Sequence, residues 1–287
     1  MTPKIIHFFI LIYLLFASSS CSSFKLAYNW TDVYLDIKID AYFDVTSTQQ
    51  DFLDIKLKSL HTWHRKSELP KYIVFLQETQ QRLQDGAQKE DLAWFFDQIK
   101  LLNAHIGNRM ASDTAEFLSL LSAKQVEYLK EKLAEENKER LKRAKRSEKE
   151  RFQDSIEKII EGTEEWLGAL SDDQKRPIEQ LWQIYWNQED LMVRYRHRIR
   201  SHERFMVLLK KQKDTDQLGK SLLRWYLHPE YDYSEAYKNM RNQRLQRSED
   251  LILLLNRIVT KQQKEFLNDT INKYINQMKE LHMIDVE

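Results

Sequence analysis

Glycine, proline and cysteine are scarce in this sequence. Only five glycines and four prolines occur in 287 residues. Because these two residues mark most turns, their scarcity argues against a turn-rich β-sandwich and against a nucleotide-binding fold built on glycine-rich loops. The single cysteine, Cys21, leaves no partner for a disulfide bond and no thiolate metal site. Charged residues make up 31% of the chain, which argues against several membrane spans.

The first twenty residues have the pattern of an export signal. Lys4 is their only charge, an apolar run extends from Phe8 to Ala17, and three serines precede Cys21. A basic start, a short apolar centre and small residues before a cleavage site form a signal peptide, whereas a membrane-spanning helix needs roughly 20 apolar residues. We therefore predict a signal peptide over residues 1–20.

The position of Cys21 predicts a lipid anchor. It lies where bacterial lipoproteins are cleaved and acylated, for example with palmitate; the alternative is a free thiol after ordinary cleavage. Ser18 occupies the position where such signals usually carry leucine, and Ser22 follows the cysteine instead of aspartate. We predict lipidation at Cys21, a tether over residues 21–30, and a location at the bacterial outer membrane, facing the periplasm.

After residue 30 the apolar residues follow helical spacing almost throughout, and we find no convincing strand. The sequence predicts an all-α, multi-helix bundle of two helical halves, residues 31–162 and 163–287. It also predicts one long charged helix with a narrow apolar seam from Leu129 to Ile156.

One short motif occurs four times. An aliphatic residue precedes Thr46, Ser122, Ser171 and Thr260, and glutamine follows three residues later each time. This is the pattern of a capping box, in which the hydroxyl and the glutamine satisfy backbone groups at a helix start. The order of the motifs, two 76 residues apart and then two 89 residues apart, suggests an internal duplication.

The chain resembles a family of proteobacterial predicted lipoproteins known only as a domain of unknown function. The resemblance rests on residues 39–49, on the segment from Leu60 to Tyr72, and on 121–125, 132–139 and 237–245. It covers residues 24–284 and implies an all-helical fold without an established activity. The capping motif separately resembles that of Spy/CpxP-type periplasmic proteins, which are helical chaperones or stress modulators.

The segment from Trp63 to Tyr72 is the densest group of charged and aromatic residues outside the apolar seams. It is a candidate recognition corner, and the alternative is a helix end, a turn and a helix begun by proline. Its candidate binding residues are Trp63, His64, Arg65, Pro70 and Tyr72. His61 and His64 lie three residues apart on one helix face, but no motif joins them into a metal site.

The second candidate is the basic run from Arg194 to Arg204, whose candidate binding residues are Arg194, Arg196, Arg198 and Arg200. Alternate residues point 200° apart on a helix, so we expect some of these arginines to find carboxylates on other helices. The alternative is a surface for phosphate or lipid headgroups. Residues 130–151, with ten basic and six acidic side chains, are interpreted as a solvated helix face.

The third candidate is the aromatic run from Trp225 and Tyr226 to Tyr233, which we interpret as a loop with exposed rings.

The function predicted from these features is binding. No catalytic motif is present, so neither enzymatic activity nor a cofactor, metal or small-molecule substrate is expected. A formal net charge of +1 gives no reason to expect nucleic acid. We expect a membrane contact through the lipid anchor and a protein partner. The leading hypothesis is a Spy/CpxP-like chaperone or stress modulator; the alternatives are an outer-membrane adaptor for one partner and a lipid- or phosphate-binding module.

Overall fold

The computed structural model describes residues 23–84, 86–211 and 214–284, and helices without strands make up its regular structure there. The predicted all-α bundle is therefore confirmed. The predicted signal peptide and Cys21 lie outside the described residues. In the described part of the chain, no helix has the length and apolar character needed to cross a membrane.

The first part of the chain forms six α-helices and one π-helical turn. They are α1 (Ser23–Asn29), α2 (Thr31–Phe43), α3 (Ser47–Trp63), the π-turn (His64–Glu68), α4 (Leu69–Arg82), α5 (Lys89–Ser119) and α6 (Ala123–Ala144). The rest forms six more and a short 3₁₀ helix. These are α7 (Glu148–Leu167), α8 (Asp172–Tyr185), α9 (Asp190–Lys211), α10 (Thr215–Leu227), the 3₁₀ helix (Pro229–Asp232), α11 (Glu235–Ile258) and α12 (Lys261–Met283).

All four predicted capping boxes are confirmed, at the starts of α3, α6, α8 and α12. Two further boxes begin α5 at Gln88 and α7 at Ser147. The box at Ser147 shows that the predicted long helix over 129–156 is wrong. The chain leaves the helix after Ala144 and starts a new one at Glu148, because a capped helix start competes with continuation of the preceding helix.

The glutamines of the first two boxes are buried and hydrogen-bonded to each other. Nε2 of Gln49 donates to Oε1 of Gln125 at 3.2 Å and to the carbonyl of Leu120 at 2.9 Å. Nε2 of Gln125 donates to Oε1 of Gln49 at 2.7 Å and to the carbonyl of Asp44 at 3.0 Å. Each glutamine thus caps its own helix and satisfies a carbonyl at the end of the segment before the other helix.

The last two boxes repeat this arrangement. Gln174 and Gln263 exchange hydrogen bonds of 2.7 and 3.1 Å, and they donate to the carbonyls of Ile258 at 2.8 Å and Ala169 at 3.0 Å. The motifs therefore pair in the order in which the sequence presents them. Internal duplication stays a prediction, since the shared geometry concerns these caps alone.

The buried apolar residues form separate clusters. The larger lies among α3, α5 and α10, around Leu53, Ala115 and Leu218, with Val45 and Leu121 packed against it. These two are the aliphatic residues that precede the first two capping boxes, so each box is held by the core beside it. A smaller cluster joins Ile73 of α4 to Ile271 and Ile275 of α12.

Helix packing joins distant parts of the chain. Helix α5 packs along α10, α4 along α12, and α6 along α9, while α7 runs continuously across positions 162 and 163. Contacts between residues 31–162 and 163–287 are therefore extensive.

Candidate functional site

A half-open cavity of about 840 Å³ lies among α6, α7, α8, α9, α10 and α11. We call it the arginine cavity, because nine basic residues and only two acidic ones line it. The basic residues are Arg140, Arg143, Arg146, Arg151, Lys158, Arg194, Arg198, Arg244 and Arg247. Its volume falls in the range of roughly 300–1,000 Å³ that small-molecule sites occupy.

Helix α9 contributes two of the predicted arginines to this cavity. Arg194 and Arg198 are four residues apart and therefore lie on the same helix face. Arg198 is also ion-paired with Glu136 of α6, and its Nε donates to Asn137 at 3.2 Å. Arg194 forms no ion pair with a carboxylate of the described residues, although Asp190 lies one turn before it on α9.

The last turns of α6 and the first turns of α7 supply most of the remaining charge. Arg140 and Arg143 line the cavity without an ion pair to any described carboxylate. Arg146 pairs with Asp154, and Arg151 donates to the carbonyl of Gln188 at 2.8 Å. Arg140 and Arg143 are therefore the members of this group whose charge is available to a ligand.

Aromatic side chains form part of the wall. The guanidinium of Arg247 lies 3.8 Å from the centre of the Trp182 ring, a cation–π contact. Trp186, Tyr195 and Trp225 also line the cavity. Because indole rings present apolar faces, the wall can contact both a charged group and an apolar one.

Asp190 is the carboxylate set among the unpaired arginines. Its Oδ1 is buried and lacks a hydrogen-bond partner in the described structure. Burial raises the pKa of this carboxyl, and the nearby Arg247, Arg244 and Arg194 counteract that effect. One carboxylate thus faces three guanidinium groups without a direct hydrogen bond to any of them.

Burial, together with the neighbouring arginines, lowers the pKa of basic side chains around the cavity. Loss of solvent and the neighbouring Arg244 lower the pKa of both Arg194 and Arg247. Burial and the nearby Arg198 lower the pKa of His202 to about 4. Each shift disfavours a further positive charge, so an anion in the cavity would relieve the repulsion.

The other predicted arginines of α9 lie outside the cavity wall. Arg196 is exposed. Arg200 lies near His197; burial lowers the pKa of that imidazole most, and the charge of Arg200 lowers it further. Arg204 is ion-paired with the buried Asp232 of the 3₁₀ helix. The run therefore divides by helical direction into cavity, solvent and fold contacts, as the 200° spacing implies.

The segment from Trp63 to Tyr72 forms a separate polar cluster against α1. His64 lies 2.9 Å from the hydroxyl of Tyr28 through Nδ1 and 3.2 Å from that of Tyr72 through Nε2. Burial lowers the pKa of His64 and raises those of Tyr28 and Tyr72 to about 12. The three side chains remain neutral near pH 7 and form one hydrogen-bonded row.

Arg65 and Glu68 of the π-turn are buried but bonded. Nη2 of Arg65 donates to Asn29 at 2.7 Å, and the guanidinium lies 5.6 Å from the centre of the Tyr28 ring. Glu68 accepts from Lys71 at 2.6 Å. The predicted turn between helices is wrong: the π-turn joins α3 to α4 without a break, and Pro70 occupies the first turn of α4. Trp63 lies beside Arg109, 6.0 Å from its guanidinium.

The predicted aromatic loop is also largely helical. Trp225 and Tyr226 belong to the last turn of α10, and the 3₁₀ helix follows. Trp225 lines the arginine cavity, so two separately predicted candidates meet there. Tyr226 lies elsewhere: its ring covers Gly107 of α5, where a Cβ atom would meet it at 2.3 Å. Among the described residues, no group of histidine, cysteine, aspartate and glutamate could hold a metal ion.

Residues 41–238 match the model of a family of unknown function, DUF6279. The chain belongs to this family. No curated protein and no solved structure matches it.

The DUF6279 match covers α3 to α10, and with them most of the cavity wall. Arg244 and Arg247 lie beyond it, on α11. Sequence reasoning missed these two and also missed Arg140 and Arg143. For Arg140 and Arg143 the sequence did contain a signal, because residues 138–146 include six basic residues and a single glutamate.

Proposed function

We propose that this protein binds a phosphate-bearing polyanion in the arginine cavity. The observation that carries the proposal is the excess of arginine in its wall. Arg140, Arg143, Arg194, Arg244 and Arg247 form no ion pair among the described residues, and Asp190 is the one carboxylate that faces the last three. Like charges at close range destabilise one another, and a bound anion with several charges offsets that repulsion.

The chemistry of the wall favours phosphate over a single carboxylate. Guanidinium groups present planar forks of donors that match phosphate oxygens. The cavity is large enough for a ligand with more than one phosphate group, and the half-buried Trp186 and Trp225 offer apolar surface to the rest of the molecule. A lipid headgroup and a soluble phosphate ester share this chemistry.

The experiment measures binding to the purified full chain. Tripolyphosphate serves as the soluble probe in calorimetry, and phosphatidylglycerol vesicles serve as the lipid probe in flotation. We expect binding of at least one probe that weakens steeply as salt increases. Tight tripolyphosphate binding without salt-sensitive vesicle binding indicates a soluble ligand, and the reverse indicates a headgroup.

A matched pair of variants on α9 provides the control. Arg194→Gln removes a cavity arginine and should weaken binding of the effective probe at least several-fold. Arg196→Gln removes the same charge two positions away, outside the wall, and should have little effect. Equal effects of the two variants, or no binding of either probe, would contradict the proposal.

We also propose that the protein is anchored in the bacterial outer membrane through a lipid on Cys21. The support is the residue pattern of the first 21 residues. Intact-mass measurement of the chain purified from membranes tests this: the expected chain begins at Cys21 and carries acyl chains. An unmodified thiol would refute the anchor.

Binding of unfolded proteins, as in Spy/CpxP-type chaperones, is a second candidate. Its support is the set of four capping boxes that the motif resemblance rests on. Against it, Trp182, Trp186 and Trp225, which would form part of an apolar cradle, lie among arginines instead. Suppression of client aggregation by the full chain at equal ratio would favour it, and no suppression at a several-fold excess would exclude it.

A further inference from the structure

The first two helices carry an apolar stripe on the side that faces away from the protein. The stripe follows helical steps of three and four through α1, the single residue between the helices and α2. Its members are Leu26, Trp30, Val33, Tyr34 and Ile37. Between 42% and 60% of each residue is exposed. We call these five residues the N-terminal stripe.

The opposite side of the same helices is attached to the protein. Phe24 packs edge-on against Tyr274 at 5.5 Å, and Lys25 pairs with Glu280 of α12. Further along, Asp36 accepts from Gln50 at 2.7 Å, and Phe43 packs against Phe117. The helices are thus held by one face, and the stripe is the face that stays about half exposed.

The charges on these helices are distributed unequally between the two faces. The two carboxylates within the stretch of the stripe, Asp32 and Asp36, point to the protein side, toward His61 and Gln50. Lys38 lies on the outer side, with its ammonium 5.5 Å from the centre of the Tyr34 ring. From Leu26 to Lys38 the exposed face therefore combines apolar, aromatic and basic side chains, and the next acid along it, Asp40, accepts from the backbone N–H of Val45 at 3.0 Å.

We propose that the N-terminal stripe lies in the headgroup region of a phospholipid bilayer. Tryptophan and tyrosine favour this region because their rings are apolar with one polar group, and lysine can extend from it to water. Exposed apolar patches of this kind mark sites of interaction with proteins or membranes, and a helix at a bilayer surface turns its apolar face to the boundary between headgroups and acyl chains. In the proposed mature chain Cys21 is the first residue, and it lies five positions before Leu26. The proposed lipid would therefore enter the bilayer close to the stripe. This inference rests on the lipid anchor proposed above.

The experiment places fluorescent labels on single engineered cysteines in the full chain, reconstituted in phosphatidylethanolamine–phosphatidylglycerol vesicles. Val33→Cys and Ile37→Cys report on the stripe, and Ile184→Cys, on an exposed position of α8, is the control. Nitroxide lipids with a shallow label should quench the stripe positions, and aqueous iodide should quench them several-fold less than the control. The unaltered chain shows whether Cys21 itself takes the label.

Two results would overturn the inference. Labels at Val33 and Ile37 that iodide quenches as strongly as the control would place the stripe in water. Labels shielded from iodide but not quenched by nitroxide lipids would place it against protein, as in a second copy of the chain. Mass measurement of Cys21 separates the two proposals: a lipidated chain with labels in water refutes the docking alone, and an unlipidated chain with lipid-quenched labels refutes the anchor alone.

Discussion

Replacing Gln125 by alanine tests whether the paired capping boxes stabilise the fold. In the wild-type chain its side chain donates to the carbonyl of Asp44 at 3.0 Å and accepts from the backbone N–H of Ser122 at 3.0 Å. Both backbone groups would lose these partners, and Gln49 would lose the amide to which it is bonded.

The size of the effect follows from those lost bonds. A buried polar group left without a partner costs about 1–3 kcal/mol, and two such groups remain after the substitution. We therefore expect Gln125→Ala to lower the free energy of unfolding by about 2–4 kcal/mol. For a chain of this size, this corresponds to a decrease in Tm of about 3–7 °C.

Thermal unfolding of the full chain, followed by circular dichroism, measures this change. Gln263→Ala removes the equivalent side chain from the other pair and should decrease Tm by a similar amount. Gln153→Ala is the control, because Gln153 is exposed and bonded to Glu157 at 3.1 Å. A surface change of this kind alters stability by about 0.5 kcal/mol or less.

A double variant sharpens the test. Gln49→Ala and Gln125→Ala remove two residues that bond directly to each other, so their effects should not add. We expect the double variant to be more stable than the sum of the single losses predicts. A Gln125→Ala protein as stable as the Gln153→Ala control would refute the reasoning.

Three further predictions concern packing, protonation and capping. Gly107→Ala should lower Tm, because the added Cβ would meet the Tyr226 ring at 2.3 Å. Gly162→Ala should raise Tm, because its Cβ would have nothing within 4 Å and alanine favours the helix by about 0.5–1 kcal/mol. Because the pKa of His202 is lowered in the folded state to about 4, stability should decrease as pH falls from 6.5 toward that value, and His202→Asn should flatten this part of the denaturation profile. Ser147→Ala should destabilise the chain by about 1 kcal/mol in urea unfolding, since it removes the cap of α7; no change would show that the cap is dispensable.

The helix starts were the most predictable features of this fold. Thr46, Ser122, Ser171 and Thr260 each begin a helix as the motif predicts, because a capping box is formed by residues within four positions of one another. The break at Ser147 follows the same rule with glutamate in the fourth position, and the charged run around it obscured the signal.

The candidate site was predictable only in part. Arg194 and Trp225 were identified as separate candidates, and both line the arginine cavity. Arg143 and Arg247 could not be connected with them, since these four residues come from four helices. Their proximity depends on the packing of α6 along α9 and of α11 against α8.

The all-α class and the positions of the capped helix starts can be read from the sequence, because both depend on local periodicity and on hydrogen bonds between near neighbours. Helix packing sets which glutamines meet, which arginines form no ion pair among the described residues, and which apolar side chains stay exposed near the start of the described chain. These outcomes depend on contacts between residues that are far apart in the sequence, 89 positions in the case of Gln174 and Gln263. Only helix packing brings such residues together. The charge of the cavity and the exposure of the N-terminal stripe are therefore properties of the folded chain.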